Sequence, residues 1–267
     1  MDRRQRVRRD AVGVDHRRLR FLPFLLAVLS TSLAAGDIPL AERRSGYELM
    51  SPETRAMQDD EATGPAAFSL LDGEALWSRK EGQGGVACAS CHASMKGVAV
   101  RYPKVVSGRA VNLEQQINVC RTGRQKAPPW AYESRELLAL TAYVARQSRG
   151  MPIAIEWKEA TAPFLEAGRA AFNRRQGQLN LSCAQCHDDH WGKRLAGSVI
   201  PQAHPTGYPI YRLEWEAMGS LERRLRNCMV GIRAETPAYG APELVELELY
   251  LMWRARGMRL ETPAVRP

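Results

Sequence analysis

Two stretches of the chain carry apolar residues at helical spacing. Residues 136–149 open with Glu136-Leu-Leu-Ala-Leu140-Thr-Ala-Tyr143, and residues 243–256 open with Glu243-Leu-Val-Glu-Leu247-Glu-Leu-Tyr250. Gly150 and Gly257 stand just past the two ends, where a left-handed helix cap favours glycine. The pattern predicts two amphipathic helices whose Leu and Tyr stripes face a core. Between them, the Pro-containing stretch 150–163 reads as a linker. Residues 192–213, punctuated by Gly and Pro, read as loop with short strand pieces. A third apolar run, residues 21–34, has no polar face at all.

That third run follows a segment with eight Arg and three Asp in its first 20 residues and leads into Ala34-Ala35-Gly36. A basic start, a short apolar run and small residues at its end predict an export signal over residues 1–35. An uncleaved anchor is the alternative, but 14 residues fall short of the roughly 20 that span a bilayer. The expected location is the periplasm, with no membrane span after signal removal. The whole chain carries 38 Lys+Arg against 29 Asp+Glu, a net +9 over 267 residues. Removing residues 1–34 leaves about +4. The basicity therefore belongs mostly to the signal, and nothing in the remainder suggests a nucleic-acid groove.

The chemistry lies in six cysteines. Cys88-Ala-Ser-Cys91-His92 and Cys183-Ala-Gln-Cys186-His187 are two C-x-x-C-H pentapeptides, 95 residues apart. That motif attaches haem c: the thiols reach two vinyl groups of one porphyrin and the His binds its iron. A single copy could equally be a zinc half-site or a redox dithiol. Two copies in an exported chain point to two covalently attached haems. The surroundings repeat too. Gly73-Glu-Ala-Leu-Trp77-Ser-Arg79 precedes the first site and Gly168-Arg-Ala-Ala-Phe172-Asn-Arg174 the second, again offset by 95. The helical stretches are offset by 107, so the second copy holds about a dozen extra residues between its haem site and its later Cys. The expected fold is mostly α, a tandem pair of class-I-like cytochrome c domains at residues 60–153 and 160–260. Each has a modest core that a porphyrin would enlarge.

Cys120 and Cys228 remain, one per copy. Met95 lies too close to its own motif to cross the ring, Met151 and Met258 fall past the last helices, and Met229 faces Arg121 in the other copy. Two readings of the cysteines stay open: a Cys120–Cys228 disulfide, or one thiolate ligand per iron. Thiolate ligation accounts for both at once and would lower the haem potential, favouring sulfur chemistry over plain electron carriage. Around Cys228 stand Arg223, Arg224, Arg226 and Arg233. In a helix Arg224 shares the face of Cys228 at i and i+4. Arg233 could return to the same pocket, and guanidinium groups would hold an anionic substrate. Arg223 and Arg226 read as a solvated helix face, and His190 and His204 as loop residues. A non-catalytic dihaem electron carrier is the competing reading, and a dihaem peroxidase a third.

These residues resemble the SoxA family, catalytic dihaem subunits of the SoxAX cytochromes of thiosulfate oxidation. The resemblance runs from about residue 60 to the end. Its most specific element is Cys228-Met-x-x-x-Arg233-Ala234-Glu235-x-Pro237, and the first copy keeps Cys88, Cys91, His92 and Cys120. The resemblance implies an L-cysteine S-thiosulfotransferase that joins thiosulfate oxidatively to a cysteine of the SoxYZ carrier. Electrons would pass through haem to SoxX and then to a small cytochrome c. It further implies iron ligation by His92 and Cys120 and by His187 and Cys228. Cys228 would also be the catalytic sulfur, Arg224 the substrate-binding arginine and Arg233 a sulfonate contact. The first haem would be a relay or a relic.

Overall fold

The computed structural model describes residues 38–267, so the expected export signal lies outside the described residues. Each repeat begins and ends on a helix. In the first, α2 (Ala67–Ser78) and α4 (Arg135–Arg146) pack together; in the second, α5 (Ala162–Asn173) and α8 (Pro242–Arg254) do so. An additional helix, α1 (Pro52–Asp59), precedes them. The glycines explain the close approach. A Cβ on Gly73 would run into the Ala139 carbonyl and the Tyr143 side chain. A Cβ on Gly168 would meet the Glu246 carbonyl and Tyr250 in the same way. The aromatic four residues later then stacks on the partner helix: Trp77 lies 6.0 Å from Tyr143 and Phe172 lies 5.6 Å from Tyr250, between ring centroids.

Between the paired helices each repeat carries its attachment segment, an antiparallel hairpin and a further helix. The first has β1 (Lys104–Val106), β2 (Arg109–Val111) and α3 (Leu113–Cys120); the second has β5 (Ile210–Arg212), β6 (Ala217–Gly219) and α7 (Leu221–Gly231). Asn112 and Ser220 cap these helices, their side chains accepting from the backbone N–H of Gln115 and Arg223. Stretch 192–213 thus holds more strand than its composition suggests: β5 itself and a small hairpin, β3 (Arg194–Leu195) with β4 (Ser198–Val199). The strand β7 (Ala264–Arg266) adds to β5 in parallel. The hairpin β3–β4 and a longer β5–β6 turn account for the extra residues of the second copy.

Apolar burial does not stop at the linker. Residues 38–267 belong to one compact unit, and one apolar cluster takes Leu137, Leu140 and Val144 from α4 together with Leu244, Leu247 and Leu249 from α8. The strands cross over: β2 of the first repeat packs on α8 of the second, and β6 of the second on α4 of the first. Met218 of β6 sits with Leu138 and Ala142 in a second small cluster. α8 is accordingly buried over most of its length, from Leu244 to Arg254, with Glu246 and Glu248 half-buried among its apolar side chains.

Candidate functional site

The two C-x-x-C-H segments begin as tight turns. Cys183–His187 forms the short helix α6, capped by Ser182, which accepts from Gln185 N–H while its own N–H donates to Gln185 Oε1 at 2.9 Å. Cys88–Ser90 is one 3-10 turn, and His92 N–H donates to the Cys88 carbonyl at 3.1 Å. Both segments follow a glycine with positive φ, Gly82 at 62° and Gly177 at 70°. A Cβ on either glycine would run into the backbone at Gln125–Ala127 or Ile232–Ala234, just past the helices that carry Cys120 and Cys228. Attachment segment and returning helix are thereby clamped together in both copies.

Each later cysteine faces the attachment thiols of its own repeat. Burial raises the Cys88 thiol pKa, and Cys120 is the next contribution. Burial pushes Cys183 up to about 11, with Cys228 next, and raises Cys186 in the same order of causes. No disulfide joins any of the six cysteines. Cys120 and Cys228 line two different cavities, an arrangement unlike the disulfide reading.

The first cavity measures about 80 Å³ and is lined by Cys88, Cys91, His92 and Cys120 with Trp77, Leu113, Ile117 and Leu140. Gln116 Nε2 donates to Cys120 Sγ at 3.7 Å. Met95 also lines it, beside its own attachment segment. Arg121 borders the cavity but is committed elsewhere: it pairs with Glu81 and stacks 3.4 Å over the Trp130 ring.

The second cavity is about 440 Å³ and far more basic. His187, Cys228, Arg224, Tyr208, Arg212, Arg194 and Arg266 are among its lining residues. Arg224 and Cys228 share one face of α7, as the i, i+4 spacing predicts. His187 Nδ1 lies 2.7 Å from the Pro201 carbonyl, a contact in which Nδ1 donates its proton and Nε2 is left with its lone pair. Burial, followed by the Arg224 charge among the unfavourable contributions, holds the His187 pKa below its ordinary value, in keeping with a neutral ligand. The donor set fits haem c at both places: the first cavity is lined by two thiols, the following imidazole and a facing thiol, and the second by His187 and Cys228, with Cys183 and Cys186 close enough to Cys228 to feel its charge. Among the described residues no group of three or more His, Cys, Asp or Glu could hold a separate metal ion.

Other expected positions fall differently. Arg233 is exposed, is not among the residues lining the second cavity, and bonds Gln178 Oε1 at 3.4 Å. Its backbone, at φ 57°, is committed to the clamp: its carbonyl accepts from Gln178 N–H. Arg223 and Arg226 are half-buried rather than solvated, lying 4.2 Å over Trp215 and 4.5 Å over Tyr239. His190 is an exposed loop residue, whereas His204, also in a loop, is buried and lines the second cavity. Its Nδ1 lies 3.0 Å from the Arg44 carbonyl, and burial holds its pKa near 4. Tyr208, Arg212 and Arg194 were hidden from sequence reasoning because they sit in the stretch read as loop. Arg194 lies in the stretch that lengthens the second copy, whereas Tyr208 and Arg212 stand at places that the first copy fills with Tyr102 and Val106.

Comparisons with known proteins agree with the geometry. Residues 72–153 and 167–260 match the family described as SoxA/TsdA, cytochrome c domain. The L-cysteine S-thiosulfotransferase subunit SoxA of Pseudaminobacter salicylatoxidans is 37% identical over 90% of this chain and 87% of its own length. The subunit of that name from Rhodovulum sulfidophilum is 36% identical over 84% of this chain and 80% of its own. The crystal structure of SoxXA from P. pantotrophus superposes with a TM-score of 0.81 at 31% identity, covering 84% of this chain and 87% of that one. Two matched helical repeats, each built around a haem c attachment segment, together with relatives at these identities, place the chain in the SoxA family of cytochromes c.

Proposed function

We propose that the chain is the catalytic subunit of an L-cysteine S-thiosulfotransferase and that it carries two haem c groups. Cys88, Cys91, His92 and Cys120 would hold the first, and Cys183, Cys186, His187 and Cys228 the second. One observation carries the reading. On a shared scaffold, the second repeat alone sets a guanidinium, Arg224, on the helix face of its half-buried later cysteine, where the first repeat has Gln116.

The reaction joins the terminal sulfur of thiosulfate to a carrier cysteine. A sulfur–sulfur bond forms, the carrier thiol loses its proton and two electrons leave. Haem c, when bound, supplies the outlet for those electrons. The protein residues do the rest. Arg224 draws the dianion into the cavity and orients it. Cys228, on the same helix face, is the sulfur that thiosulfate meets and that later passes it to the carrier. The Pro201 carbonyl holds the His187 ring in place. Lining residues Leu221, Leu225 and Ile210 restrict water around the reacting sulfurs. The relatives' names support thiosulfate conjugation to cysteine, and the SoxXA structure supports a SoxX partner. The SoxYZ carrier as substrate, a small cytochrome c as acceptor and a periplasmic location complete the proposal. Among the described residues no helix is long and apolar enough to cross a membrane.

The test uses the complex with SoxX, the reduced carrier, thiosulfate and oxidised cytochrome c. Cys228→Ser should abolish carrier conjugation, read by mass, while both haems remain covalently attached. Conjugation at the wild-type rate in that variant refutes the assignment.

A further inference from the structure

The two repeats can be aligned residue by residue through their hairpins. In the first, Val106 pairs with Arg109, three residues before the helix cap Asn112; in the second, Arg212 pairs with Ala217, three residues before the cap Ser220. Arg212 therefore occupies the place of Val106. By the same register Arg224 occupies the place of Gln116, four residues before the later cysteine in each copy. Both positions that change from neutral to guanidinium line the second cavity.

Arg212 is costly to keep where it is. Its side chain is only 13% exposed, and its Nε is buried without a hydrogen-bond partner. A buried, unsatisfied donor on a charged group is destabilising unless a ligand completes it. Nearby charges make matters worse. After burial itself, Arg224 is the strongest influence acting against the charged form of Arg212. Two cations converging beside Cys228 and Tyr208 are relieved by an anion between them. The compensating carboxylate, Glu214, bonds the Arg212 Nη2 at 2.7 Å from an exposed position on the outer side of the hairpin turn. The Trp215 ring, 5.2 Å from the guanidinium carbon, supports the side chain from another direction.

We propose that Arg212 is a second substrate-anchoring residue, which with Arg224 grips the sulfonate oxygens of thiosulfate and leaves its terminal sulfur free to reach Cys228. This rests on the transferase reading and adds to it a specificity element. A dianion with an oxygen-rich end is selected by two guanidiniums, whereas sulfide or a simple thiol has nothing for them to hold. The same register leaves the first repeat with Val106 and Gln116, and so with no guanidinium at either of these places.

Two measurements on the purified complex with SoxX test it. In steady-state assays Arg212→Gln should raise the thiosulfate KM about ten- to hundredfold, the loss expected for a charged hydrogen-bond pair, with kcat within about threefold. Calorimetric titration of the oxidised complex with sulfate, in the absence of carrier, should show a comparable loss of affinity. Glu214→Gln, on an exposed side chain, should strengthen sulfate binding about twofold by removing the competing carboxylate, and it serves if Arg212→Gln does not fold. Unchanged KM and unchanged sulfate affinity in Arg212→Gln, with Arg224→Gln impaired in both, overturns the Arg212 assignment and leaves the transferase reading standing. So does unchanged or weaker sulfate binding in Glu214→Gln. Undiminished conjugation by Cys228→Ser would instead sink the transferase reading itself, whatever the sulfate titrations show.

Discussion

Arg224 stands on α7 where Gln116 stands on α3, one of the two aligned places at which a guanidinium replaces a neutral side chain. Gln116 offers its cysteine a neutral amide at 3.7 Å, whereas Arg224 offers a fixed positive charge facing a 440 Å³ cavity. Putting the first repeat's residue into the second, Arg224→Gln should raise the thiosulfate KM at least tenfold. Arg233→Gln should stay within about threefold of wild type, because its exposed guanidinium reaches Gln178 and not the cavity. Steady-state kinetics on the two variants side by side checks both halves. Equal damage from both would mean that Arg233 swings inward during turnover. Spacing alone revealed Arg224, since i and i+4 positions share a helix face. It could not locate Arg233, whose direction depends on a left-handed backbone turn and a clamp against Gln178.

At the scale of elements, the repeated glycines matter most. Gly73 and Gly168 let α2 approach α4 and α5 approach α8 so closely that a methyl group has no room against backbone carbonyls. Gly168→Ala must therefore push the helices apart or bend them. Overpacking of this kind costs about 1–3 kcal/mol, and here the obstacle is backbone, which cannot rotate away. The expected outcome is a thermal midpoint several degrees lower, with the haem spectrum of the folded protein unchanged. A midpoint equal to wild type would show that the helix pair has slack. The paired helices were legible from apolar periodicity and terminal glycines. The hairpins β1–β2 and β5–β6 were not, because three-residue strands are too short to show alternation.

Across the whole molecule, the two repeats meet through a buried acidic group as well as through apolar side chains. Asn112 of the first repeat donates from Nδ2 to Glu222 Oε1 at 3.1 Å and to Glu248 Oε2 at 3.3 Å, both from the second. Burial raises the pKa of Glu222 and of Glu114 to about 7, and raises that of Glu248 well above its ordinary value. For Glu222 the Gly240 N–H, donating at 2.7 Å, opposes this without cancelling it. A carboxyl whose pKa rises on folding binds its proton more tightly in the native state. Its contribution is complete below about pH 4.5 and is lost as pH climbs to about 7, of order 3 kcal/mol for a shift of that size. Unfolding free energy should therefore fall between pH 5 and pH 8, and Glu222→Gln should flatten that slope. Denaturant titrations of both proteins at the two pH values decide it, and parallel slopes would count against protonated glutamates at the junction.

What the amino-acid order determined by itself was whatever depends on spacing along the chain. Two attachment motifs 95 residues apart, a spare cysteine in each copy, the flanking helices and the Arg224–Cys228 pairing are all local relations, set by covalent reach and helical pitch. What only the tertiary structure decided was whatever depends on distant segments meeting. The linker at 150–163 joins repeats whose strands pack on each other's helices, so the two halves share one apolar cluster. Pro201 reaches His187, and β5 delivers Arg212 to the face of α7. No periodicity encodes those meetings. They follow from burying the apolar faces of two small repeats, each with a modest core of its own, against one another.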